Sequence, residues 1–579
     1  MSAEGFPGRV LARVSATGTR AALSLLVLSG FLEFFRLGAR GLFEPDEGRY
    51  AEMPREMIAL GDWITPHLNY VLFLEKPPLV LWMTAGLYRI LGEIPVAARF
   101  PSAFFTVLAV VATASFGRRL VGARAAWLGG AILATAALPL VIGRVATLDA
   151  VLASLVTLSI FAFHAALRAA EASPRRRDGW LLAAYVSAGL ATLVKGLVGV
   201  ALPGLVIGLH LLLTGRLREI RHLRLISGAI LYLAISAPWF IAVSRKTPYF
   251  FQYFFVHETL MRYTTTVHSR TGSVLYYVPV LLAGMAPWSL LIPRAIAGAW
   301  RDRRVPEGGG SFFLGIWTAA VFLFFSFAGS KLPGYLLPAF PPLALLLGGT
   351  FVPRSGDRVP EALDRPWWVA VSLGLLAAVG LGGLVVPAGV LARLSPTIVG
   401  ETRLIGTCML AIAGLGLYAL RRGSAALAAL ALGAWIVLLT PTLVRVSEML
   451  EDRYSVAPIA RRSARRAEPE DLLVQYRGFA KGLPFYFGRR VVLYRHVGEL
   501  QVGFTLSDPK ERSRWFLTEQ ADLARLFAGD RRVLVLVSRK DEPDLKARFP
   551  SLLRLDESER YALYANRPPR ASGASPAAP

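Results

Sequence analysis

A polytopic α-helical membrane protein with a small α/β domain towards its C-terminal end is the fold class that three observations predict. The 579-residue chain is 54% hydrophobic and only 18% charged, with a mean hydropathy of +0.49; a soluble domain carries about 25% charge. Its apolar residues are gathered into about thirteen long runs, and after about residue 447 those runs give way to short β-type segments. A soluble enzyme is excluded.

A spanning helix needs about 20 mostly apolar residues. Candidates lie near 18–37, 101–120, 125–143, 150–168, 180–194, 197–215, 225–243, 273–297, 312–329, 337–352, 367–390, 403–420 and 425–446. The first follows Arg9, Arg13 and Arg20 but has no small-x-small cleavage site, so it reads as a retained span and not a signal peptide. The stretch Pro77 to Gly92 is apolar but short, and counting it would reverse the sidedness of every later loop. The positive-inside rule decides against it. With thirteen spans and the N-terminus inside, the cytoplasmic loops collect Arg118, Arg119, Arg124, Arg175 to Arg177, Arg216, Arg218, Arg221 and Arg224. They also collect Arg301, Arg303, Arg304, Arg354, Arg358, Arg365, Arg421 and Arg422. Pro77–Gly92 then reads as a helix at the membrane surface.

The same count accounts for the net charge of +25, from 64 Lys+Arg against 39 Asp+Glu. Such an excess suggests nucleic acid, but these cations sit in short clusters between apolar runs. They set topology, and no nucleic-acid partner is expected. The four lysines before residue 450, Lys76, Lys195, Lys246 and Lys331, all fall on the outer side. They need another explanation.

Residues 1–447 are therefore expected to form the membrane domain, with a long first outer loop over about 38–100. Residues 448–566 read as a periplasmic-side α/β domain, with strands at Asp471–Tyr476, Arg490–Tyr494 and Arg532–Val537 and a helix at Glu519–Ala528. The tail 567–579, rich in Pro, Ala and Ser, is expected to be disordered. The single cysteine, Cys408, lies in an apolar run, so no intrachain disulfide and no Cys-based metal cluster can form.

Chemistry is concentrated in the outer loops. The first contains Asp46-Glu47-Gly48-Arg49-Tyr50-Ala51-Glu52, Gly61-Asp62-Trp63-Ile64-Thr65-Pro66 and Glu75-Lys76-Pro77-Pro78. In a helix Asp46 and Arg49 share a face, and Pro54 is expected to divide the segment into two short helices. Such a cluster ordinarily means a solvated face. Other outer loops, however, place Asp149, Lys195, His257, Glu258, Arg262, Lys331 and Tyr335 at span ends. Ionisable groups at the edge of hydrocarbon are costly and usually functional or paired, and several on one side predict an outward-facing polar cavity. No Walker-type loop, no H-E-x-x-H and no D-x-D is present, which suits a lipid-linked donor.

These motifs resemble the first periplasmic loop of the aminoarabinose transferase family, within the protein-mannosyltransferase-like GT-C glycosyltransferases. Arg144-Val145-Ala146-Thr147-Leu148-Asp149, Lys331-Leu332-Pro333-Gly334-Tyr335, Phe254-Phe255-Val256-His257-Glu258 with Arg262, and Gly482-Leu483-Pro484-Phe485-Tyr486-Phe487-Gly488 extend the resemblance over nearly the whole chain. It implies a multi-pass enzyme of the bacterial inner membrane whose active site faces the periplasm. Such an enzyme moves 4-amino-4-deoxy-L-arabinose from undecaprenyl phosphate to a lipid A phosphate, giving polymyxin resistance. Two departures are Pro54, where a helix-compatible residue is expected, and Phe73, where the best-known members carry tyrosine.

The resemblance also implies roles. Asp46 matches the essential carboxylate and Asp149 is the second, with Arg49 and Lys195 completing the catalytic set. Lys76, Arg262, Tyr335 and Lys331 are candidates for the donor phosphate, since charge aimed at a leaving phosphate lowers the barrier. Asp46 is a general base if the acceptor is a hydroxyl, or an orienting group for Arg49 and Lys195 if it is a phosphate. No cofactor is required; Glu75 and His257 could hold a divalent ion, Zn or Mg, although two ligands are few. The competing readings are a transferase of mannose or another sugar to protein or a different lipid, and a transporter or flippase, which would show repeats and broken midplane helices.

Overall fold

The computed structural model describes residues 18–169, 173–261, 272–304, 309–353, 366–392 and 398–568. Arg262, the arginines between 354 and 365, and the tail from 569 lie outside them. The chain divides into two compact units. One comprises residues up to Leu37, Lys76–Val80 and Arg99–Val446; the other comprises Gly38–Glu75, Leu81–Ala98 and the residues from Ser447 on. The first outer loop therefore groups mainly with the C-terminal residues, not with the membrane helices in whose domain it was expected.

The first unit is helical. Seven helices of the chain are long and apolar enough to cross a membrane: Pro95–Val121, Asp149–Ala169, Leu225–Lys246, Gly309–Ser326, Trp367–Val385, Ile398–Arg421 and Leu427–Met449. Two bent pairs raise the number to nine at most among the described residues. Ala123–Thr135 and Ala137–Gly143 meet at 60°; Pro139 cannot donate to Thr135, and its ring crowds that carbonyl. Val274–Gly284 and Ser289–Arg304 meet at 119°, so the straight span expected over 273–297 is broken. Other apolar runs are helical but shorter, with 17 residues in Gly18–Phe34, 16 in Val198–Leu213 and 11 in Phe340–Thr350. Leu79–Leu91, with 13 residues, is about 20 Å long, too short to span.

Helices in lipid associate through close packing more than through apolar burial. A Cβ on Gly348 would collide with the Ala125 carbonyl and the Gly129 backbone, so only glycine lets Phe340–Thr350 lie against Ala123–Thr135. Asp149–Ala169 is the central helix and is buried along most of its length. It packs beside Pro174–Lys195 and Val198–Leu213. Phe161 on it stacks on Phe116 at 5.1 Å and meets Trp317 edge-on at 5.0 Å.

In the second unit the helix Asp46–Leu60 runs unbroken through Pro54. The predicted division does not occur because packing holds both sides: Arg55 forks onto Glu52 at 2.7 and 2.6 Å, and Glu56 accepts the Tyr70 N–H at 2.8 Å. Residues 47–57 are all buried, so this is not a solvated face. Two short strands, β1 (His67–Leu68) and β2 (Val71–Leu72), form a hairpin. Between them Asn69 exchanges two 2.9 Å hydrogen bonds with the Val491 backbone.

The sheet contains β3 (Leu472–Tyr476), β4 (Val492–Tyr494), β5 (Phe516–Leu517), β6 (Val533–Ser538), β7 (Leu553–Glu557) and β8 (Tyr561–Ala565), in the order β5-β4-β3-β6-β8-β7. The first four are parallel; β8 runs antiparallel between β6 and β7. Near-continuous apolar runs in β3, β4 and β6 mark strands covered on both faces. Three strands went unforeseen: β5 is two residues long, β7 carries Arg554, Asp556 and Glu557, and β8 was not recognised. Arg567, at the start of the expected tail, donates to the Asp530 carbonyl at 3.0 Å.

Leu523 is fully buried in this core. Leu523→Ala is expected to lower the unit's stability by about 2–5 kcal/mol, read as a lower denaturation midpoint in detergent. Leu506→Ala, at a site 41% exposed, should shift it by less than about 0.5 kcal/mol.

Candidate active site

The helices Asp149–Ala169 and Pro174–Lys195 are joined by a short connection and pack side by side. The first residue of one and the last of the other therefore come together. Asp149 opens its helix, where the macrodipole favours an anion, and Lys195 closes its helix, where it favours a cation. Lys195 Nζ donates to Asp149 Oδ1, with both side chains largely buried. Gly196 ends the Lys195 helix at φ 79°, a conformation that glycine adopts freely. Lys195 Nζ also lies 4.3 Å from the centre of the Tyr335 ring. The segment bearing Tyr335 is pinned by Tyr277, whose hydroxyl donates to the Leu332 carbonyl at 3.1 Å. A Cβ on Gly334 would strike the Asp149 carboxylate, so glycine keeps that space open. Asp149, Lys195 and Tyr335 thus form one cluster.

Lys76 Nζ stands 3.9 Å from Glu258 Oε2, a weak ion pair with the glutamate almost fully buried. Glu258 Oε1 accepts from the Tyr253 hydroxyl at 3.4 Å and lies 3.5 Å from His257 Nδ1. The His257 ring stacks on Tyr253 at 5.3 Å. Lys331 Nζ donates to the carbonyls of Ser326 and Ala328 at 2.8 and 2.7 Å, which caps the end of Gly309–Ser326. Those orphan carbonyls need a donor, so two of the ammonium's three donors serve the fold.

In the second unit Arg49 Nη1 reaches Asp46 Oδ1 at 3.0 Å, as the three-residue spacing predicts. Its stronger partner is Glu499, which accepts from Nε at 3.2 Å and Nη2 at 2.5 Å. Lys481 Nζ reaches the same glutamate at 2.8 Å. Asp46 itself keeps half its side chain exposed, against 8% for Arg49, and so remains open to a ligand. Phe73 sets its ring 5.9 Å from the Arg49 guanidinium. Burial draws the Arg49 pKa down, but Tyr50, Glu499, Asp46 and Glu75 together more than reverse it; the guanidinium stays charged. Burial pushes Glu499 up, yet Arg49 and Lys481 hold it below the usual carboxylate range. Glu44 accepts the N–H groups of Lys481 and Gly482 at 2.9 and 2.8 Å. Burial nevertheless raises its pKa to about 7, against those hydrogen bonds and the Lys481 charge.

Among the described residues no group of three or more His, Cys, Asp or Glu side chains is placed to hold a metal ion. Glu499, Lys481 and Glu44 were missed in sequence because nothing local marks them. Glu258 adjoins His257 in its motif but had no assigned role.

A helical membrane protein with ionisable pairs at helix ends points to a membrane-embedded transferase. A model of dolichyl-phosphate-mannose-protein mannosyltransferase matches residues 75–241. The undecaprenyl phosphate-alpha-4-amino-4-deoxy-L-arabinose arabinosyl transferase of Pectobacterium atrosepticum is 31% identical over 93% of this chain and 96% of its own. That of Erwinia tasmaniensis is 30% identical over 86% and 91%. The crystal structure of ArnT from Cupriavidus metallidurans bound to undecaprenyl phosphate superposes with a TM-score of 0.80 at 30% identity, covering 94% of this chain and 98% of that one. Its apo state gives 0.79. The class is thus a polytopic membrane glycosyltransferase of GT-C fold. The chain belongs to the undecaprenyl phosphate-aminoarabinose transferase family.

Two outcomes follow from the geometry. Asp149→Asn and Lys195→Met should each cut sugar transfer by roughly 100-fold, while the double variant loses little more than either one, because the two act as a pair; rates multiplying would refute the coupling. The Glu44 pKa is higher folded than unfolded, so its contribution to stability is full below about pH 4.5 and is lost as pH rises through about 7. Glu44→Gln should flatten that part of the melting temperature-pH curve.

Proposed function

We propose that this protein transfers 4-amino-4-deoxy-L-arabinose from undecaprenyl phosphate to a phosphate of lipid A, in the bacterial inner membrane and on its periplasmic side. The reading includes thirteen spans, with the α/β residues from 448 on the periplasmic side. It is carried by one observation: a largely buried Asp149–Lys195 pair with Tyr335 beside it, in a chain about 30% identical to named transferases over nearly its full length. The arginine count between spans supports the sidedness.

In this reaction the bond from the anomeric carbon to the donor phosphate breaks and one to an acceptor phosphate oxygen forms. Positive charge develops on the sugar as negative charge grows on the departing polyprenyl phosphate. Lys76 suits that phosphate: the Glu258 carboxylate lies 3.9 Å from its Nζ, a partner with which a phosphate can compete. Arg262 and Tyr335 are assigned to the same phosphate. Asp149 holds the Lys195 ammonium in place and balances its charge. An acceptor phosphate is already anionic near neutral pH, so Asp46 has no proton to remove. Its 3.0 Å contact with Arg49 and its exposure favour orienting the guanidinium and stabilising the cationic sugar. Removal of negative charge from lipid A would give polymyxin resistance.

Mass spectrometry of lipid A from cells with and without the gene is expected to show one aminopentose added per modified phosphate. A hexose on protein would overturn the reading. Asp46→Asn should abolish the addition, by roughly 100-fold or more, with the protein still present in the membrane; full activity would remove Asp46 from the site.

A further inference from the structure

Arg168 lies near the far end of the helix that Asp149 opens, about 28 Å along its axis. There the transfer reaction has no assigned residues, yet a second polar feature is built. A cavity of about 230 Å³ lies among the last turns of Pro95–Val121 and Asp149–Ala169 and the first turns of Pro174–Lys195. Its lining joins Phe116, Phe161, His164 and Trp180 to Arg119, Arg168 and Arg176. The aromatic part is preformed, with Phe116 stacked on Phe161 at 5.1 Å and met by Trp180 at 5.3 Å. The three arginines come from three different helices and are exposed. Among the described residues no carboxylate lines it.

Arginines that merely set topology need no cavity beneath them. Here three guanidiniums share one opening at the ends of membrane helices, the depth at which lipid phosphates lie. Basic pockets between spans on the cytoplasmic side take anionic headgroups, and guanidinium matches phosphate oxygens in a bidentate fashion. Aromatic side chains suit the boundary where a headgroup meets its chains. The volume admits a headgroup but not whole chains.

We propose that this cavity binds the phosphate headgroup of an anionic lipid in the leaflet opposite the Asp149 end. The ligand chemistry is a lipid phosphate ester, supplied by an acidic phospholipid or by a polyprenyl phosphate. The inference rests on these helices crossing a bilayer and not on which sugar is moved, so its failure leaves the transferase reading intact.

The test is native mass spectrometry of the full-length protein in detergent with added phosphatidylglycerol, phosphatidylethanolamine or undecaprenyl phosphate. The wild type is expected to retain phosphatidylglycerol well over phosphatidylethanolamine. Replacing Arg119, Arg168 and Arg176 by Gln should weaken that retention by roughly five-fold per arginine, about 100-fold together. The matched change of Arg301, Arg303 and Arg304 to Gln, which removes equal charge away from the cavity, should leave it unchanged. If the triple variant does not fold, the single variants carry the test, each with its roughly five-fold loss. A second bound undecaprenyl phosphate that disappears in the cavity variant would assign the site to polyprenyl phosphate; one copy in both proteins would assign it to phospholipid. Equal retention by the cavity variant and wild type, or equal loss in the Arg301 set, would overturn the proposal.

Discussion

A charge withdrawn from water must be matched within a few ångströms, because an uncompensated buried ion costs several kcal/mol. The structure is organised around that constraint. Lys195 meets Asp149 where two helix ends adjoin, Arg55 forks onto Glu52 inside the first outer loop, and Arg49 is held by Glu499 across 450 residues of sequence. Arg532 and Asp471 do the same at the base of the sheet, at 3.2 Å. Each pair fixes two elements at once, so the charges that chemistry would use also hold the fold.

The same constraint separates cations by what they spend their hydrogen bonds on. Lys331 gives two to backbone carbonyls, and Arg144 gives three bonds to the carbonyls that end the first helix, at Leu32, Glu33 and Phe35. A lone carbonyl at a helix end is a permanent acceptor, so these donors serve the fold. Lys76 and Lys195 face carboxylates, partners that an incoming phosphate can compete with. Two lysines with similar sequence settings, Lys195 and Lys331, thus differ in what they bond to.

Much of this was legible in the chain. The spacing of Asp46 and Arg49 produced the contact it predicts, and Asp149 and Lys195 stand out in the sequence as charges at span ends. The strands β3, β4 and β6 announced themselves as apolar runs. Legibility failed where context outweighed local rule. Pro54 stays in a helix because Arg55, Glu52 and Glu56 anchor the turns around it. The loop that looked solvated is buried because Glu44, Asn69 and Gly48 meet residues near 482 and 491. The span expected over 273–297 bends by 119°, which mean hydropathy cannot register.

By itself the sequence determined the membrane class, the helical runs and the point where apolar runs give way to a sheet. All of these are properties of composition over a short window, and solvent partitioning acts on such windows directly. Only the tertiary structure decided which carboxylate belongs to which cation: Glu499 to Arg49, Asp149 to Lys195, Glu258 to Lys76. Electrostatic pairing depends on separation in space, and neighbours in space lie up to 450 residues apart in the chain.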